Sequence, residues 1–143
     1  MKYIYIIFCF FLFFAGCKTA KLDGPERFIA FGSGGGITGK VNVYRVSSFG
    51  KLYNDIAGSS SSEVKTHLTN KTLKNIFALA DSLQKSTAPF SNPGNIYYFI
   101  SLKNNIENPD YTWGQIAFIV PEPITRLYHL LEKIQIATKT AKN

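Results

Sequence analysis

Apolar and polar positions along the chain follow two periods, and the alternation comes first. From Arg27 to Phe31, Phe28 and Ala30 fall on one side and Ile29 and Phe31 on the other, which predicts a strand. A glycine-rich run, Gly32 to Gly39, follows. Lys40-Val41-Asn42-Val43-Tyr44-Arg45-Val46 reads as a second strand, since Val and Tyr suit a pleated, half-buried surface. Ser47-Ser48-Phe49-Gly50 has hairpin-turn chemistry, and Lys51 to Ile56 completes the hairpin with Leu52, Asn54 and Ile56 on one face. Gly58 to Ser62 breaks the pattern and reads as a surface loop.

The period then changes. Thr69-Asn70-Lys71-Thr72 supplies an N-cap, and Leu73, Ile76, Phe77, Ala80 and Leu83 form the apolar stripe of an amphipathic helix. After a breaker-rich loop from Ala88 to Gly94, alternation returns in Asn95 to Lys103, followed by a turn-rich stretch from Asn104 to Asp110. Tyr111-Thr112-Trp113 resumes β character and either stops at Gly114 or runs on to Ile119, with Gly114 as a turn or a bulge. Val120-Pro121-Glu122-Pro123 opens a second helix with Ile124, Leu127, Leu131 and Ile134 as its buried stripe. The order β-β-β-α-β-β-α predicts one α+β domain over residues 27–138, with two helices on one face of a mainly antiparallel sheet of about five strands. Residues 139–143 form a polar tail.

The first sixteen residues stand apart from this domain. Lys2 precedes an uncharged apolar run from Tyr3 to Phe14, shorter than the roughly 20 residues that span a bilayer, and a small-residue pair follows, as in a secretory signal. Phe14-Ala15-Gly16-Cys17 resembles the lipobox of bacterial lipoprotein precursors, with Phe14 where Leu is usual. The resemblance implies cleavage after residue 16 and lipidation of Cys17, with residues 17–26 as a tether. The other reading is an ordinary cleaved signal with an incidental cysteine. Each buried acyl CH₂ contributes ~0.8 kcal/mol, so two or more chains hold a protein firmly on a membrane. Lys18 stands where inner-membrane lipoproteins have Asp, which points to the outer membrane and leaves the leaflet open.

Composition narrows the chemistry further. The 143 residues carry 16 basic and nine acidic side chains, a net charge of +7, which falls to +6 when Lys2 leaves with the signal. Lysines spread along the chain describe a solvated surface more than a site for anionic lipid head groups or an acidic partner, and an exported protein is a poor candidate for binding nucleic acid. Loss of Cys9 and blockage of Cys17 leave no thiol for a disulfide or a thiolate metal site. His67 and His129 lack metal spacing, Glu107 and Asp110 sit in a turn, and Ser59 to Ser62 lie outside any nucleophile elbow. No enzyme, cofactor or metal is expected. Tyr97, Tyr98, Phe99 and Trp113 are core or an aromatic contact patch, with core the commoner fate of such strand residues.

The glycine run holds five of the eleven glycines. It is either a tight structural crossing or a contact surface lined by backbone. Gly34 to Gly39 fits G-x-G-x-x-G and, with Lys40, G-x-x-x-x-G-K, but both nucleotide motifs must open a helix, and Val41-Asn42-Val43-Tyr44 predicts a strand.

Gly35-Gly36-Ile37-Thr38-Gly39 after a first strand, the helix from Leu73 to Leu83, the strand Tyr97-Tyr98-Phe99-Ile100, Trp113 and the helix from Pro123-Ile124 to Leu131 together resemble the emfourin group of inhibitors of thermolysin-like metalloproteases. That group carries S-G-G-x-x-G after its first strand; here Gly34 falls at the serine position, and the family lacks a membrane anchor. The resemblance implies that Ser33, Gly34, Gly35, Gly36, Ile37, Thr38 and Gly39 form a partner-binding edge for an envelope protein or a metalloprotease, with the backbone pairing as an added strand would. The alternative is a structural or accessory envelope lipoprotein whose glycine run only packs.

Overall fold

The computed structural model describes residues 24–55, 62–103 and 105–140. The signal segment, Cys17, the tether as far as residue 23, Ile56, the first three residues of the serine run and the last three of the polar tail lie outside the described residues. Seven strands form one sheet: β1 Phe28–Gly35, β2 Asn42–Ser47, β3 Lys51–Asp55, β4 Ser62–His67, β5 Phe90–Asn92, β6 Ile96–Ser101 and β7 Tyr111–Trp113. Helix α1, Asn70–Ser86, follows β4, and helix α2, Glu122–Thr140, follows β7. The spatial order is β4-β3-β2-β1-β6-β7-β5. Every neighbouring pair is antiparallel except β5 and β7, so the sheet is mixed.

The α+β class with two helices holds, and the expected five strands become seven. β4 is one addition; its Ser62-Glu63-Val64-Lys65-Thr66-His67 is polar because the strand lies at an edge with little to bury, and His67 ends it instead of lying in a loop. β5 is the other, three residues between Pro89 and Pro93 that become a strand by pairing with Tyr111, Thr112 and Trp113. Short or charged edges of this kind discourage pairing with foreign strands. β7 stops at Trp113, and Gly114 follows at φ 157° as the chain turns away.

One face of the sheet carries Ile29, Phe31, Val46, Leu52, Ile100 and Tyr111, which join Leu73, Ile76, Phe77, Ala80 and Leu83 of α1 and Ile124, Leu127 and Leu131 of α2 in a single core. Each fully buried aliphatic side chain of this set contributes about 1.5–3 kcal/mol. At the start of α1, Thr69 has extended backbone and its hydroxyl accepts the Thr72 N–H at 3.3 Å. Thr69→Ala should cost about 1 kcal/mol, read as a lower urea midpoint with an unchanged slope. Arg27 ties α1 to the sheet by an ion pair to Asp81 at 2.9 Å and by its guanidinium over the Phe77 ring. Glu122 and Pro123 occupy the first turn of α2, where a carboxylate meets the positive end of the helix dipole and proline loses no hydrogen bond.

The glycine run is half strand. Gly32 and Gly34 face away from the helices, opposite Phe99 and Tyr97 in β6. A Cβ on Gly34 would lie 2.5 Å from the Tyr97 hydroxyl, and one on Gly32 would lie 3.0 Å from the Phe99 ring. The two aromatic rings lie over the backbone that the glycines leave bare, and Phe99 is thereby buried. This carries β1 four residues beyond the expected end at Phe31.

Candidate functional site

The seven residues of the expected partner-binding loop divide into two groups. Ser33, Gly34 and Gly35 belong to the central strand: Ser33 pairs with Asn42 of β2 and Tyr98 of β6, Gly34 with Tyr97 and Gly35 with Ile96. β6 pairs with all three along one edge, and on the other β2 pairs with Ser33 but not with Gly34 or Gly35, which leaves a partner strand at most these two residues to join. Gly36, Ile37, Thr38 and Gly39 form a tight turn, closed by the Gly39 N–H donating to the Gly36 carbonyl at 3.2 Å and docked by the Gly36 N–H on Asn95 O at 2.7 Å. Gly35 at φ 92° and Gly36 at φ 70° take a path that L side chains rarely adopt. Ile37, Thr38 and Gly39 of this turn are exposed, with the Ile37 side chain at its tip.

Two other loops meet the turn at the same end of the sheet. Gly94 and Gly114 cross closely enough that a Cβ on either would lie 2.2 Å from a backbone oxygen. The Gln115 N–H donates to Asn92 O at 3.2 Å, and Phe118 closes a further turn on Gln115 at 3.0 Å. Three glycine-dependent contacts therefore hold the loops after β1, β5 and β7 together. Around them Ile37 and Ile116 are fully exposed and Ile96, the first residue of β6, is 57% exposed, whereas Ile119, 89% exposed, follows Phe118, whose ring lies 4.8 Å from that of Phe90 at the other end of β5. Single exposed isoleucines are ordinary, but three where these loops meet make this end of the sheet a candidate contact surface. Sequence reasoning found only Ile37. Ile116 and Ile119 were legible as isoleucines between Gly114 and Pro121 without a strand to bury them.

The expected aromatic patch is split between the faces. Phe99 and Tyr97 cover the glycines on the helix-free face, whereas Tyr98 and Trp113 stack at 6.0 Å on the other face, beneath Tyr128 of α2. Burial, with Glu132 and Tyr98 adding to it, pushes the Tyr128 phenol well above the usual tyrosine range, and its hydroxyl donates to Gly32 O at 3.3 Å. On the helix-free face a broad groove of about 920 Å³ runs past Val43, Tyr97 and Phe99. Of the basic residues on its wall, Arg45 is committed: it donates to Asp55 at 2.8 Å and its guanidinium lies 5.7 Å from the Phe28 ring.

The titratable residues singled out from the sequence do not converge. His129 sits exposed on α2, 3.4 Å from Glu132. Glu107 is exposed, and Asp110 caps the start of its own loop by accepting the Leu102 N–H at 2.7 Å. Among the described residues no group of three or more His, Cys, Asp or Glu is placed to hold a metal, and no helix is long and apolar enough to cross a membrane. No protein-family model matches the chain, and no curated protein gives a significant match.

Proposed function

We propose that this chain is a lipid-anchored, non-enzymatic protein-binding module of the bacterial envelope, attached through Cys17 and touching its partner with the glycine-turn end of the sheet. The observation that carries the reading is the exposure of Ile37, Ile96 and Ile116 at the end of the sheet where glycine contacts hold three loops together. A preformed apolar surface loses little entropy on binding, which favours a protein partner over a purely structural role for the turn. The resemblance to the emfourin group makes a metalloprotease the particular partner to look for, approached through side chains of the turn instead of an added strand. The tether enters at the opposite end of β1, and eight residues of strand extend about 26 Å, so the isoleucine end points away from the point of entry.

The test uses the full chain with a C-terminal tag, expressed in a bacterial envelope and extracted in detergent, beside the double variant Ile37→Asp, Ile116→Asp. Both positions are fully exposed, so the variant keeps the fold. The expected result is co-purification of one envelope protein with wild type and a loss of at least about tenfold with the variant. Equal capture by both retires the surface. Capture of nothing moves the assignment to an accessory lipoprotein whose glycine turn only packs.

A further inference from the structure

Beside the isoleucine end, on the helix-bearing face, lies a slot of about 220 Å³ between α2 and strands β1, β2 and β6. Its walls are aromatic. Phe31 stacks on Tyr44 at 5.7 Å, and Tyr128 descends from α2 to meet Tyr98 edge-on at 5.6 Å. Its polar lining is Ser33, the tyrosines, the amides of Asn42 and Gln135, and Glu132, one helical turn beyond Tyr128 and the one charged residue among them. Among the described residues no lysine or arginine lines it, although the chain as a whole is strongly basic. The Glu132 side chain is 41% exposed and has His129 on its helix at 3.4 Å as its partner, a long contact that leaves carboxylate lone pairs for a ligand.

We propose that this slot receives an arginine side chain of the bound partner. A guanidinium is flat, so it lies against tyrosine faces, and its fork of N–H donors fits one carboxylate together with neighbouring amide and hydroxyl oxygens. A phosphate or carboxylate ligand meets only repulsion from Glu132, and an apolar one leaves the oxygen atoms unpaired. The burial of Tyr128 keeps its phenol protonated and neutral, so it adds no second negative charge to the slot. The inference rests on the partner-binding reading for the source of the arginine, but the slot's own chemistry is independent of which protein supplies it.

Trp113 is the chain's single tryptophan and meets Tyr128 edge-on at 5.1 Å, which makes its fluorescence a reporter of the slot. The full chain in detergent is titrated with the tripeptide acetyl-Gly-Arg-Gly-amide and with the same peptide carrying citrulline, which keeps the shape and removes the charge. The expected result is a saturable change with the arginine peptide, weakened at least about tenfold by citrulline and by Glu132→Gln, and unchanged by Glu122→Gln in the first turn of the same helix. Circular dichroism of Glu132→Gln checks that the fold is retained. Equal response to both peptides, full binding by Glu132→Gln, or no saturable response overturns the proposal. Because the titration contains no partner protein, its failure stands apart from the failure of the co-purification experiment.

Discussion

Gly35→Val should leave much of the protein unfolded under conditions where wild type is fully native. A Cβ at this position would lie 2.1 Å from the Asn95 carbonyl oxygen, and the obstacle is backbone of the adjoining loop, which has no rotamer by which to move aside. The residue also holds φ at 92°, where a β-branched side chain is strained. Strain of this kind costs about 1–3 kcal/mol and overpacking a similar amount, so a combined loss of roughly 3–5 kcal/mol is expected from a domain whose whole stability is of order 5–15 kcal/mol. Urea denaturation followed by circular dichroism should show the midpoint lowered by about 2 M. A midpoint within about 0.3 M of wild type would show that the loop from Pro93 to Asn95 yields easily. Gly34→Ala is the milder comparison, since its obstacle is the movable end of the Tyr97 side chain. Substitution at Gly35 therefore tests folding, and binding is better probed at the exposed isoleucines.

The second large effect is expected six residues before the tip of the same turn. Phe31→Ala removes a ring that is 2% exposed, stacked on Tyr44 and met edge-on by Tyr128 at 6.4 Å, at the middle of the central strand. Truncation of a buried phenylalanine costs about 3–5 kcal/mol, because β1 is held between β2 and β6 and cannot collapse into the space. Ile37→Ala, an equally apolar deletion on the same segment, should change stability by no more than about 0.5 kcal/mol. Thermal or urea unfolding of the pair measures the difference directly. Near-equal losses would mean that Ile37 packs against a part of the chain outside the described residues. Phe31 is also the floor of the arginine slot, so any folded fraction of Phe31→Ala should fail the peptide titration while keeping the isoleucine surface.

These contrasts bear on what was legible beforehand. Helix α1 was legible because its cap and its stripe are local: the N-cap segment from Thr69 to Thr72 holds the capping Thr69, and Leu73, Ile76, Phe77, Ala80 and Leu83 are all buried. Strands β2, β3 and β6 were legible for the same reason, as alternation with a buried side. β4 was not, because an edge strand with solvent around it has no apolar side to alternate. β5 was not, because three residues carry no period and only the partner β7 makes them a strand. The glycine run read as a loop because glycine contributes no side chain to a pattern; its strand half depends on Phe99 and Tyr97, which stand some 65 residues away in the chain and supply the missing apolar surface.

By itself, then, the sequence determined the α+β class, the two helices with their buried faces, and the presence of a backbone that needs glycine after the first strand. Those features are written in nearest neighbours and short periods, which a chain displays before it folds. Tertiary structure alone decided that Ser33 to Gly35 continue the central strand with β6 paired along them, that Ile37, Ile96 and Ile116 share one end, and that Tyr44, Tyr98, Tyr128 and Glu132 line one slot. Each of these joins residues from separate elements, and the contact exists only once the sheet order β2-β1-β6-β7 and the crossing of α2 have placed them side by side.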